Sequence, residues 1–204
     1  MRDQTTLAPA PFVPEIRVFT ARGVNAVWFE TARWLEDDDA DVPFWCVPWA
    51  GGQAVARYVL DHPELVRGAN VVDFGCGGGV VAIAACRAGA EVTAIDVDPL
   101  ACEATRLAAA ANGVVLDVRQ RDCVGDDLEG VDLVLAGDVW YEPNPSARFR
   151  RWFDRLAGRG LAIVTGDAGR GHAPRDADVL ATYTVPTPFD LEAAATRTAR
   201  VLRL

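Results

Sequence analysis

The sequence predicts an α/β fold, a mostly parallel sheet with helices on both faces, and three observations carry that expectation. Short apolar runs alternate with longer Ala-rich or amphipathic stretches through the middle of the chain. The run Val71-Val72-Asp73-Phe74-Gly75-Cys76-Gly77-Gly78-Gly79-Val80 reads as a strand, a glycine turn and a helix start. With 204 residues, half of them apolar, the chain can bury one sizeable core. One domain is therefore expected, with residues 1–50 as a capping segment and 51–204 as the core.

In chain order, a short strand is expected near Ile16–Phe19, and the aromatic segment around Trp28, Phe29, Trp34 and Leu35 reads as a helix. An acidic loop, Glu36–Asp41, follows and ends at Pro43. The stretch Gly52–Asp61 places Val55, Tyr58 and Val59 on one helical face and leads into the strand before the glycines. Further helices are expected at Gly79–Ala88, Pro99–Asn112 and Pro145–Leu156, and further strands at Glu91–Ile95, Val114–Val118, Val131–Gly137 and Leu161–Gly166. The tail breaks the rhythm: Val179–Val185 and Thr196–Leu204 read as two strands joined through Pro186-Thr187-Pro188, an antiparallel pair closing the sheet. About twelve residues precede that pair, barely enough for a crossover helix, which is expected to be short or missing.

Composition narrows the function classes. A net charge of −9 argues against nonspecific nucleic-acid binding, which needs cationic neutralisation of phosphates, and makes a positively charged partner more natural. All twenty basic residues are arginine, so no lysine serves as base or Schiff-base former; the bias fits a GC-rich coding genome. The five cysteines form no C-x-x-C pair, and with two histidines there is no metal-ligand spacing. No segment has the roughly 20 apolar residues of a membrane span, and Met1–Pro14 lacks a signal-peptide stretch, so a cytosolic protein with no membrane partner is expected.

The glycine turn carries the chemistry. Glycines let a backbone approach a ligand closely, and the helix that follows points free amides at its negative end. A dinucleotide loop, G-x-G-x-x-G/A, fails at Val80 when counted from Gly75 but closes on Ala82 when counted from Gly77, so a dinucleotide oxidoreductase stays open as an alternative. Counted from Gly75 the run is G-x-G-x-G with Asp73 two residues ahead. This resembles motif I of the class I S-adenosylmethionine-dependent methyltransferases. Asp96 follows the second strand roughly 20 residues beyond the loop, where such folds place an acidic residue on ribose hydroxyls. Asp122-Cys123 follow the third.

After the fourth strand, Gly137-Asp138-Val139-Trp140-Tyr141-Glu142 contains D-x-x-Y, which resembles the signature of the seven-β-strand protein methyltransferases grouped as methyltransferase family 16. Pro43–Ala54, Leu60-Asp61-His62-Pro63, Val66-Arg67-Gly68 and Gly166-Asp167-Ala168-Gly169-Arg170 are similar to one branch, the lysine methyltransferases of the electron transfer flavoprotein β subunit. The likeness runs from about Pro14 to Gly171; it departs at Ala50, where the branch usually has proline, and at Cys76, which replaces a small serine-like residue.

The resemblance implies a Rossmann-like class I methyltransferase fold, a seven-stranded sheet with an antiparallel C-terminal strand, and S-adenosyl-L-methionine as methyl donor, leaving as S-adenosyl-L-homocysteine. It implies that Trp49 walls the cofactor site, that Asp73 is a cofactor-binding residue, that Gly75, Cys76 and Gly77 surround the methionine part, and that Asp96 takes the ribose. Asp122 and Cys123 take the adenine, Gly137 lies beside the sulfur, and Asp138 and Tyr141 orient the acceptor amine. The implied acceptor is a basic protein such as the electron transfer flavoprotein β subunit. A small-molecule N-methyltransferase and a non-catalytic cofactor-binding module are the remaining alternatives.

Overall fold

The computed structural model describes residues 4–36, 42–188, 192 and 194–204. β1 (Thr5–Ala10) and β2 (Val13–Ala21) form an antiparallel hairpin apart from the main sheet. The expected strand at Ile16–Phe19 is the middle of β2. β1 went unread because Ala8, Pro9 and Ala10 carry little strand signal, and its pairing with β2 makes it a strand. α1 (Val24–Leu35) is the aromatic segment; of the acidic loop, residues 37–41 lie outside the described residues.

The core then runs α2 (Ala50–Asp61), β3 (Asn70–Phe74), α3 (Val80–Arg87), β4 (Glu91–Asp96), α4 (Pro99–Ala111), β5 (Asp117–Gln120), β6 (Leu133–Ala136), α5 (Pro143–Ala157), β7 (Ala162–Asp167), β8 (Asp178–Pro186) and β9 (Thr196–Arg203). The strand expected at Val114–Val118 lies later, at β5. Val114 donates to the Ala109 carbonyl in the turn closing α4, and the polar Asp117–Gln120 pair with β4 instead. β5 is a sheet edge with one neighbour, so it needs no continuous apolar run.

Seven strands form the main sheet in the order β5-β4-β3-β6-β7-β9-β8. Pairs β3/β4, β4/β5, β3/β6 and β6/β7 are parallel, and β9 is antiparallel to both β7 and β8. The chain moves outward from β3 to β5 and then returns to β6, so a crevice opens at the carboxyl ends of β3 and β6, where the order reverses.

β3 shows how the two faces are filled. Successive side chains alternate across a strand, so Val71 packs with Val55, Val59 and Ile83 under α2 and α3, while Val72 and Phe74 face α5. The Phe74 ring meets Phe149, Trp152 and Phe153 edge-on at 5.0, 5.1 and 5.7 Å. Residues 121–132 and 168–177 contain no helix, so the crossover helix doubted from the sequence is missing. Arginines of α5 secure both connections: Arg148 to Asp122 at 2.6 Å, Arg155 to Asp127 at 2.6 Å and Arg150 to Asp176 at 2.7 Å.

Two amide side chains fasten the hairpin to the core. Asn112 accepts from the Arg17 N–H at 3.0 Å and donates to its carbonyl at 2.6 Å, imitating a neighbouring strand. Gln53, fully buried in α2, accepts from Phe12 N–H at 2.8 Å and donates to the Pro48 carbonyl at 2.6 Å. In the first turn of α2, Gly51 and Gly52 lie against glycines of the sheet side. A Cβ on Gly137 would stand 2.7 Å from Gly52 Cα, and one on Gly166 would overlap the Gly51 backbone. Backbone lies on backbone there, which brings α2 down to the crevice.

Candidate active site

The glycine loop emerges from β3 and turns through left-handed conformations at Gly75 (φ 67°), Gly77 (φ 51°) and Gly79 (φ 85°), which favour glycine. Its shape is held from three sides. Gly75 and Cys76 donate to the Ile95 carbonyl at 2.9 and 3.1 Å, Thr105 Oγ1 of α4 donates to the Gly77 carbonyl at 2.8 Å, and Asp96 Oδ2 accepts from Gly77 N–H at 2.9 Å. Gly78 lies against the Trp45 carbonyl, where a Cβ would come within 2.7 Å.

These elements enclose a cleft walled by Trp45, Val47, Trp49, Gly52, Asp73, the loop from Gly75 to Gly78, and Gly137. Two buried polar atoms of its walls have no hydrogen-bond partner among the described residues: Asp73 Oδ1 and Trp45 Nε1. Asp73 Oδ2 accepts from Ala82 N–H at 2.9 Å in the first turn of α3. Burial pushes the Asp73 carboxyl up to about 7, against the pull of that amide. Buried polar groups are nearly always paired, so this cleft offers a ligand one acceptor, Asp73 Oδ1, and one donor, Trp45 Nε1. The amino-acid end of S-adenosyl-L-methionine, an ammonium beside a carboxylate, complements that pair, and the residues present fit it.

Asp138 follows Gly137 directly in a left-handed conformation (φ 59°) and is buried. Its Oδ2 accepts from Gly51 N–H at 2.9 Å at the start of α2, and its Oδ1 accepts from Arg170 Nε at 3.2 Å. Burial raises its pKa, opposed chiefly by the Arg170 charge. Tyr141 is 44% exposed at the rim; its ring lies 5.8 Å from Phe44, which in turn lies 6.0 Å from Trp49. Trp49 Nε1 donates to the Phe44 carbonyl at 2.8 Å.

The structure thus brings Trp49, Asp73, Gly75, Cys76, Gly77 and Gly137 into one cleft, with Asp138 adjoining it. Asp96 sits behind the loop, one oxygen on Gly77 and the other on Asp98 N–H at 3.0 Å, so it shapes the cleft. Asp122 and Cys123 do not wall it. The Asp122 carboxylate is taken by Arg148 and by Val124 N–H at 2.9 Å, and Cys123 is buried against α5 with its thiol pushed up to about 11. Sequence reasoning missed Trp45, Phe44, Arg170 and Glu192. The Pro43–Trp49 segment and Arg170 stood inside the segments similar to the methyltransferase branch, which was the available signal; nothing marked Glu192.

Sheet order, glycine loop at the reversal point and cleft together define the class I methyltransferase fold. Solved structures agree: magnesium protoporphyrin IX methyltransferase from Synechocystis PCC 6803, crystallised with bound S-adenosylmethionine, superposes with a TM-score of 0.54 at 20% identity over 88% of this chain and 93% of that one. Residues 58–137 match the family described as ribosomal protein L11 methyltransferase (PrmA). The electron transfer flavoprotein beta subunit lysine methyltransferases of Xenopus laevis and Mus musculus are 36% and 34% identical over 164 and 188 residues, covering 78% and 88% of this chain. The chain belongs to that lysine methyltransferase family. It spans 65% of the Xenopus protein's length and 72% of the mouse protein's.

Proposed function

We propose that this protein is an S-adenosyl-L-methionine-dependent protein-lysine N-methyltransferase whose acceptor is the electron transfer flavoprotein β subunit or a similar basic protein. We further propose one methyltransferase domain over residues 1–204, with residues 1–50 capping the core. In support, Ala10, Val13, Ile16 and Val18 of the hairpin share a continuous apolar cluster with α2 and α3. The observation that carries the reading is adjacency: Gly137 walls the donor cleft, and the next residue is a buried carboxylate already engaged with a cation.

Bound donor supplies a sulfonium methyl group to an acceptor nitrogen and departs as S-adenosyl-L-homocysteine. The chain's own residues hold and orient. Asp73 takes the ammonium of the donor and Trp45 Nε1 its carboxylate, the glycines admit the backbone close to it, and Trp49 shields it from water. Free lysine titrates near 10.4, so it arrives as an ammonium. A carboxylate attracts that ammonium but also raises its pKa, so Asp138 positions the acceptor, and the proton leaves through water or Tyr141. Alignment in a dry cleft is the main requirement, because the leaving group is already good.

A net charge of −9 favours a basic protein surface over nucleic acid. Among the described residues, no helix is long and apolar enough to cross a membrane. The test is incubation with labelled donor and either purified electron transfer flavoprotein or a host lysate, followed by mapping of the label. Label on lysine in a discrete protein band is the expected result; label confined to small amines overturns the protein acceptor.

A further inference from the structure

The acceptor carboxylate is matched by a cation that the chain itself provides. Arg170, in the connection after β7, donates through Nε to Asp138 at 3.2 Å and through Nη2 to Glu192 at 2.6 Å, and its Cζ stands 5.3 Å from the centre of the Trp49 ring. Glu192 is buried and also pairs with Arg197 through its other oxygen. Two buried carboxylates therefore share one guanidinium, and unequally: the bond to Glu192 is short, the bond to Asp138 is long. The planar fork of arginine can keep Nη2 on Glu192 while Nε lets go of its partner.

Resting on the lysine-methyltransferase reading above, we propose that Arg170 is the resident cation of the acceptor site, displaced from Asp138 by the incoming substrate ammonium while Glu192 retains it. A buried carboxylate left without a cation is costly, so the site needs an internal counterion whenever substrate is absent. The same argument defines the acceptor class. Only a group that arrives positively charged can replace what it displaces, so alkylammonium acceptors enter and neutral alcohols do not. The groups facing Asp138 are the Gly51 amide from α2, Arg170 from the β7–β8 connection and, at longer range, Glu192 near the C-terminal strand.

The test uses the full chain with S-adenosyl-L-homocysteine present and follows the ¹⁵N–¹H signal of Arg170 Nε, identified by its loss in Arg170→Lys. Titration with n-butylammonium is expected to move that signal; n-butanol is not, and Asp138→Asn removes the response. On the protein acceptor, Arg170→Gln is expected to shift the acid limb of kcat/KM upward by about one pH unit, about a tenfold loss on the acid side, because Asp138 then holds its proton longer. Above that limb the acceptor KM is expected to fall, since the competitor is gone, and Arg170→Lys restores the wild-type limb. A signal indifferent to n-butylammonium, or a loss in Arg170→Gln that is uniform across pH with KM unchanged, overturns the proposal. If the signal responds but no protein lysine is ever methylated, the lysine reading fails and the resident cation stands.

Discussion

Asp73 and Trp45 place one bare acceptor and one bare donor in the same cleft, and each gives a measurement. Asp73 has a folded pKa near 7 against 3.8 when unfolded, so the folded protein holds a proton that the unfolded chain releases. Its contribution to stability is present below about 4 and is lost as pH rises to about 7. A donor ammonium favours the charged form, so S-adenosyl-L-homocysteine binding near pH 7 should release a proton, read by calorimetry in buffers of differing ionisation enthalpy. Binding without proton release would remove Asp73 from the ammonium site. Trp45→Phe keeps an aromatic side chain and deletes the donor; affinity should fall by about tenfold, the order of one hydrogen bond to a charged group. Asp138→Asn preserves shape and suits the left-handed backbone, so fold and S-adenosyl-L-homocysteine affinity should survive while methyl transfer drops about 10²-fold or more. Tyr141→Phe should cost turnover without touching donor binding. An unfolded Asp138→Asn protein, or undiminished turnover, would reduce Asp138 to a turn residue. Of these residues, Asp73 and Asp138 were legible because each stands at a fixed short spacing from a glycine in a local pattern, two residues before Gly75 and directly after Gly137. Glu192 was not, because an ion pair reached through the folded sheet is what links it to the site.

At the scale of elements, the central strands and the helices beside them were readable because apolar period and glycine punctuation are local properties. β1 and β5 were missed or misplaced because their pairing, rather than their side chains, makes them strands. The contact of α2 with β6 and β7 was equally invisible, since Gly51, Gly137 and Gly166 lie far apart in the chain. Gly166→Ala tests that contact: its new methyl has backbone on the other side, with no side chain to yield. We expect a loss of about 1–3 kcal/mol, the cost of overpacking, by urea denaturation. The loss of S-adenosyl-L-homocysteine affinity should accompany it, because α2 supports the cleft through Gly52. A variant as stable as the parent would mean that the helix rides higher than described.

For the whole molecule, charge sets the approach of partners. An enzyme of net charge −9 meeting a basic protein associates faster than uncharged surfaces do, and salt screens that advantage. kcat/KM for the protein acceptor should fall severalfold between low and roughly 0.3 M salt, while donor affinity stays nearly constant; salt-independent kcat/KM would argue against a basic acceptor. The order of the sheet has a consequence in time as well. Val71 lies opposite Leu133, so the two strands that frame the crevice come from distant parts of the chain, with two other strands and two helices between them. Distant pairings form slowly. During refolding, helical ellipticity should therefore return before the ability to bind S-adenosyl-L-homocysteine, and a chain arrested partway would carry most of its helices and no working cleft.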